Sequence, residues 1–506
     1  MFARPATVLH VGAIGILTLG ITAPAFAQTN TSTPYWIGGG ADSNWSNSAN
    51  WSNSADGAGG YLPSNGTAAV ATFNNVATIN VDQNWGIRRL VFGNTSGDVT
   101  LSGTGVLDVR LQSRNTYWIN TSGAGSRTIS SDLTLSYVNN ADDMLGHIGS
   151  GAGVLTLGNV FVTQSGVGTG DTSSHIILSL RGTSTGANTI GGVRFDESTT
   201  PVTRILQKID QGKWTVGGSG NNFTEVRISN SELKFETAAA LPAAALMRFN
   251  VGSGYPTLHL NNQALTADRI IVAGASGVTN GIARVIDDSA NTNGAITATN
   301  GVTVDDAWFL VNGKVVSNAA VVIGTGGVLA GTRTLAASAD NNIDISGTLS
   351  PGTVNNYSSS SDKISQVGTL TLSLAGTGKL KFETGSIVAM QLGTTDADAA
   401  SDKIAFATAG DWLDGSGNAT LALSGNINYS MVYTIFRNVT ADGFAFGGIT
   451  GYDTDQYTAL LQRVDNDWQL SFVTGNIPEP GAVAAIGAVA VLLFAGFLAR
   501  RHRTAK

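Results

Sequence analysis

Residues 208–235 read Lys-Ile-Asp-Gln-Gly-Lys-Trp-Thr-Val-Gly-Gly-Ser-Gly-Asn-Asn-Phe-Thr-Glu-Val-Arg-Ile-Ser-Asn-Ser-Glu-Leu-Lys-Phe. Apolar and polar residues alternate along short stretches of it, in Lys213-Trp214-Thr215-Val216 and again within Val226–Phe235. Such alternation sends one set of side chains inward and the other to solvent, as in a half-buried strand. Between the runs stand Gly, Asn and Ser, which supply positive φ and side-chain caps at turns. Each run is too short to be a helix, so the stretch predicts short strands separated by turns.

The same grammar extends outward over residues 66–475. Val106–Leu111, Gly153–Leu157, His175–Leu180, Leu370–Leu374 and Lys379–Glu383 all alternate, with Gly, Asn, Asp or Ser between them. A helical pattern is scarce. Ala238–Met247 is the best candidate, and Pro242 limits it to one short helix or loop. Strand phrases recur at intervals of 15–30 residues, loosely phased, as in a repeat architecture. Asn, Thr, Ser and Val suit stacked ladders, and glycine suits tight corners. The expected body is a parallel β-solenoid, in which each turn buries its apolar side only by stacking on its neighbours. A string of β-sandwiches is the rival arrangement.

Composition agrees with a long repetitive body. Of the 506 residues only 12% are charged, 64 are glycine and 10 are proline. With 42% hydrophobic residues and a net charge of -7, the chain is able to bury a core. Cysteine is absent, which excludes disulfides, thiolate metal sites and cysteine nucleophiles. The pI is about 5.2 and no long basic stretch occurs, so no nucleic-acid partner is expected.

Both ends read as addresses. Residues 1–27 have Arg4, an uncharged apolar run from Val8 to Ile21, and Ala25-Phe26-Ala27, the pattern of a secretory leader cut by signal peptidase after Ala27. At the other end Gly481–Ala499 is apolar and uncharged, long enough as a helix to reach about 28 Å, close to a bilayer core. Arg500, Arg501 and Arg503 follow it at once and act as a cytoplasmic stop. Pro478-Glu479-Pro480 precedes it. Motif, span and arginine cluster, in that order, resemble the PEP-CTERM sorting signal of Gram-negative bacteria, over about the last 30 residues. That resemblance implies recognition by an exosortase-type enzyme, with Pro478, Glu479 and Pro480 as processing residues. It implies transient anchoring in the inner membrane, then release to the cell surface or extracellular matrix.

A second resemblance lies in the opening stretch. Lys213-Trp214-Thr215-Val216-Gly217-Gly218, then Asn221-Asn222-Phe223-Thr224, then Val226–Phe235, are similar to the autotransporter-associated β-strand repeat. Residues 311–404 look like passenger sequence as well, through Val328–Thr332, Gly347–Gly352, Gly368–Leu372 and Ser401–Ile404. In that family these phrases belong to right-handed parallel β-helices. The chain departs from it by ending in one apolar helix, with no β-barrel of the autotransporter kind. The expected organisation is a leader (1–27), a Trp-rich cap (28–75), an all-β right-handed solenoid body (76–475) and a sorting tail (476–506).

Candidate chemistry is thin. His147, His175 and His259 stand alone, without a second ligand at metal spacing. Neither a Gly-x-Ser-x-Gly elbow nor a phosphate loop occurs in a strand-to-helix context. Carboxylates pair at Asp142-Asp143, Asp287-Asp288 and Asp305-Asp306, with a looser set at Asp396, Asp398 and Asp402. Glycoside hydrolysis needs two carboxyls about 5–10 Å apart across a cleft, and hard oxygen ligands suit calcium. Both readings compete with Asp capping its own turn. Trp36, Trp45 and Trp51 stack on sugars in one reading and close the first turn in the other. The expectation is a non-enzymatic surface or matrix protein without a cofactor, associated with exopolysaccharide or with copies of itself. The alternative is a polysaccharide-binding or polysaccharide-degrading lyase or glycosidase on the same scaffold. A groove with two close carboxylates, or a carboxylate beside Arg or Lys, marks that alternative.

Overall fold

The computed structural model describes residues 28–30, 33–93, 97–112, 115–137, 143–164, 175–197, 203–252, 254–274, 281–287, 293–352 and 366–475. Ala27, Pro478, Glu479, Pro480, Arg500, Arg501 and Arg503 lie outside them. Among the described residues no helix is long and apolar enough to cross a membrane.

The opening stretch folds back on itself in register. The strand Lys213–Val216 lies parallel to Glu232–Phe235, with Trp214 opposite Leu233 and Val216 opposite Phe235. All four of these side chains are buried. Between them, Glu225–Ile228 joins a different sheet, parallel to Thr203–Lys208 on one side and Leu246–Val251 on the other. One turn of chain therefore visits two faces and returns one ladder spacing further on.

Nearly every described element is a strand, and three mainly parallel sheets of 16, 18 and 9 strands collect all but Gln28–Asn30 and Tyr61–Pro63, which pair with each other. From residue 264 onward each turn visits all three. Ala264–Ala267 enters the third sheet, Ile270–Gly274 the first, and Ile282–Ile286 the second. The next turn repeats the order with Ala295–Ala298, Val302–Asp305 and Trp308–Asn312, each paired in parallel with its predecessor. Inward residues form columns: Leu265, Ile296, Val315, Leu335, Leu372 and Phe406 stack in successive turns of the third sheet and all are buried. A buried aliphatic side chain contributes about 1.5–3 kcal/mol, so stability accumulates turn by turn.

Before residue 264 the third run of each turn is carried differently. Ala77–Asn80 and Trp85–Ile87 begin two adjacent columns of the second sheet, which Val99–Ser102 and Leu107–Leu111 continue. The long strand Leu155–Gln164 merges them, its first half on Arg127–Ile129 and its second on Leu133–Tyr137. One of these columns ends at Phe195, whose main chain meets side chains instead of a strand. Asn221 Oδ1 accepts from Val193 N (2.6 Å), and Asn222 Oδ1 accepts from Phe195 N (2.7 Å). Above it, Asn221 Nδ2 donates to Ala240 O (2.7 Å), within the 3-10 turn Ala238–Ala240. That turn is the short element expected near Pro242; strand Leu246–Val251 follows it.

Glycine sets the corners leaving the second sheet. Gly331 ends one strand at φ 134° and Gly425 another at φ 95°. A Cβ would lie 2.2 Å from Val311 O at Gly331 and 2.4 Å from Leu392 O at Gly425, closer than any side chain tolerates.

Both ends of the coil abandon parallel pairing. Tyr35–Trp36 pairs in parallel with Val70–Phe73 but antiparallel with Trp51–Ser52. At the far end Tyr433–Val439 pairs antiparallel with Asp467–Thr474, which pairs antiparallel with Tyr457–Val464. A hairpin over the last turn covers apolar core that another turn would otherwise bury.

Candidate functional site

The carboxylates singled out in the sequence are not gathered into one cleft. Asp142 and Asp288 lie outside the described residues. Asp287 spends both oxygens on turns, accepting from Asn262 N and Gly294 N, each at 2.9 Å. Asp305 ends the strand Val302–Asp305 and Asp306 follows it at φ 50°, both exposed.

Asp396 and Asp398 do come together, around a lysine, and Asp402 does not join them. Lys403 has no exposed side-chain surface, and its ammonium lies 2.8 Å from Asp398 Oδ1 and 3.4 Å from Asp396 Oδ1. Asp398 also accepts two bonds from Arg437, and Asp396 accepts from the Thr434 N–H and hydroxyl. These cations hold the Asp398 carboxyl below the usual carboxylate range. Asp402 faces the other way and is 1% exposed. Its oxygens accept from Gly368 N (2.8 Å) and Gln391 N (2.7 Å), while burial pushes its pKa up to about 7. Every one of these carboxylates is occupied by protein donors, so the set ties the 393–402 loop to neighbouring turns. Among the described residues no group of three or more His, Asp or Glu side chains is placed to hold a metal ion.

The histidines divide similarly. His259 Nδ1 accepts from Asn261 N (3.0 Å) in its own turn, and His175 is half-buried in its strand. His147 is 1% exposed beneath Tyr117, with Nε2 2.7 Å from Asn115 Oδ1. Arg181 lies over the Tyr117 ring and pairs with Asp210 (2.9 Å). Burial and the neighbouring guanidinium lower the His147 pKa to about 4, so its imidazole is neutral at pH 7. This cluster is closed to solvent at the histidine.

Lys208 is a second fully buried lysine. Its three N–H bonds reach the carbonyls of Ile209, Asp210 and Asn230 at 2.7, 2.8 and 3.1 Å. Burial lowers its pKa to about 7. It staples the corner entering the opening stretch.

A concavity lies elsewhere, on the column that ends at Phe195 under Asn221. A groove of about 450 Å³ crosses three successive turns and is lined by Asp132, Thr134, Asn159, Phe161, Gly192 and Arg194, among others. Its volume falls within the usual range of ligand sites. Register places Thr134 opposite Phe161 and Phe161 opposite Arg194, so these three form one outward column. Asn159 lies opposite Gly192 in the column beside it. Phe161 is 41% exposed, between the buried Val160 and Val162. Among the described residues no side-chain hydrogen bond or ion pair engages Asp132, Thr134, Asn159 or Arg194. Asp132 precedes the first of the three strands and Arg194 lies on the last. Two ladder spacings of about 4.8 Å separate those turns.

Trp36, Trp45 and Trp51 are 4%, 0% and 0% exposed and pack edge to face, with ring centroids 5.1 and 4.8 Å apart. None presents a face to solvent. The exposed aromatic that the sequence reading overlooked is Phe161. Its signal was plain alternation: Val160 and Val162 point inward, so Phe161 points out.

No protein-family model matches the chain, and comparison with curated proteins finds no match.

Proposed function

We propose that this protein is an exported, non-enzymatic right-handed β-helix of the structural or adhesion type. In this reading it is displayed at the cell surface or in an extracellular matrix, in association with exopolysaccharide. The observation that carries it is the continuous parallel coil, closed by antiparallel pairing at both ends. Sixteen strands at about 4.8 Å spacing make a rod of roughly 70 Å. The right hand follows from the strong preference of parallel crossovers for that sense.

Its ends direct it. Signal peptidase cuts after Ala27, the apolar span holds the chain in the inner membrane, and Arg500, Arg501 and Arg503 keep the tail cytoplasmic. An exosortase-type enzyme then reads Pro478, Glu479 and Pro480 and releases the rod. The alternative reading, a lyase or glycosidase on this scaffold, is favoured by the presence of a groove with Asp132 and Arg194 in it. Against it, Asp132 is the sole carboxylate among the described lining residues, where glycoside hydrolysis uses two.

Mass spectrometry of the protein recovered from its native cells tests the sorting. Chains beginning at Gln28 and ending near Pro478 in the surface or extracellular fraction are expected. An intact Lys506 in that fraction overturns the sorting role of the tail.

A further inference from the structure

We propose that the groove over Thr134, Phe161 and Arg194 is a binding subsite for a neutral polysaccharide, lying along the coil axis. The inference rests on the matrix reading above and names the ligand class that reading leaves open.

Three observations carry it. The first is an exposed aromatic in a concave setting. Phe161 stands 41% exposed at the centre of the groove, where its face suits the apolar C–H side of a pyranose ring. Burial of such a ring removes apolar surface from water. The second is the chemistry around it. Asp132 offers only acceptors, Arg194 only donors, and Asn159 and Thr134 both. None of these side chains has a partner among the described residues. Adjacent sugar hydroxyls each donate and accept, so they need both kinds of group within reach. By contrast Asn221, which floors the groove, is fully engaged by Val193, Gly217 and Ala240. The floor is thus rigid and the walls are free.

The third observation is charge. The groove holds one carboxylate and one guanidinium among its lining residues, which cancel, and the whole chain carries a net -7. A polyanionic glycan meets repulsion from the rod and from Asp132. A polyol does not. Direction follows from topology: the lining residues repeat once per turn, so a chain lying along the axis meets one row of groups per ladder spacing. Gly192 lies opposite Asn159 in the lining, and a Cβ there would sit 3.0 Å from Asn159 Oδ1.

Affinity electrophoresis of the purified full chain tests this. The chain is run through native gels cast with a β-glucan, a galactomannan or polygalacturonate. Retardation in at least one neutral gel is expected, and none in polygalacturonate. Phe161→Ala and Arg194→Ala should each raise the apparent dissociation constant in that gel about tenfold, equivalent to about 1.4 kcal/mol. Both side chains are exposed, so circular dichroism should match the parent. Mobility in both neutral gels equal to that in a blank gel overturns the proposal. So does retardation confined to polygalacturonate, or retention of the variants equal to the parent. Appearance of new reducing ends in the retaining glycan also overturns it, in favour of a degrading enzyme. Because the readout is made on purified protein, its failure leaves the sorting reading intact, and misprocessed termini in cells leave the groove intact.

Discussion

The Lys403 ammonium lies 2.8 Å from Asp398 Oδ1, with the lysine fully buried and the carboxylate 55% exposed. The pair joins a strand of the third sheet to the loop that precedes it. Replacement Lys403→Met keeps the buried stem but leaves Asp396 and Asp398 without their central cation. A loss of about 2–3 kcal/mol is expected, below the cost of breaking a fully buried pair because Asp398 keeps water. Denaturant midpoints, together with hydrogen exchange across residues 393–402, check this. An unchanged midpoint and unchanged exchange would remove the pair from the fold's supports.

Asp402 makes stability pH-dependent with a particular sign. Its folded pKa is raised to about 7 from 3.8, so between those values the folded chain holds a proton that the unfolded chain has released. Stability from this group is therefore full below about pH 4 and declines as pH rises to about 7. The whole effect is at most on the order of 4 kcal/mol. Asp402→Asn removes the titration while losing one acceptor to an amide NH₂. The difference in melting temperature, variant minus parent, should become more positive from pH 5 to pH 8. A constant difference contradicts the assignment.

Asn221 replaces a strand with a side chain. Its Oδ1 and Nδ2 satisfy Val193 N, Gly217 O and Ala240 O. Asn221→Ala leaves these buried groups unpaired, and at about 1–3 kcal/mol for each unsatisfied group the expected loss is about 3 kcal/mol. Asn221→Asp should be worse, since it sets a carboxylate against two carbonyls. The Val193 amide, followed by hydrogen exchange, should lose protection first.

Trp51 tests the N-terminal closure. It is fully buried against Trp36, Trp45 and Phe73, and its Nε1 donates to Trp45 O at 2.8 Å. Trp51→Ala should cost about 3–5 kcal/mol. It should also expose the edge of the first sheet, so light scattering should show association where the parent has none. Trp51→Phe should recover most of the packing and not the hydrogen bond. A monomeric, equally stable Trp51→Ala would deny the cap its role.

Much of this architecture was legible in local pattern. Lys213–Val216 and Glu232–Phe235 alternate with period two, and in the structure Trp214, Val216, Leu233 and Phe235 are the buried members. The same pattern at Val160, Phe161 and Val162 points Phe161 outward, although only the groove around it makes that exposure informative. The three tryptophans were legible as a cluster, but their burial depended on a hairpin, Tyr35–Trp36 against Trp51–Ser52, whose pairing no periodicity announces. The aspartates show the limit most clearly. Asp396, Asp398 and Asp402 look alike in sequence, yet Asp398 is held low by two cations while Asp402 is raised by burial.

Composition, alternation and glycine punctuation alone settle that this chain makes short strands and corners, because side-chain direction in a strand depends only on parity along the chain. Which strand lies on which is a different matter. Turn lengths vary with every loop: Trp214 meets Leu233 but Leu335 meets Leu372, and Asp402 reaches back to Gly368. The groove, the buried lysines and the side-chain ladder at Asn221 all arise from those vertical neighbours. They belong to the tertiary structure because burial and hydrogen-bond partners are properties of the stack.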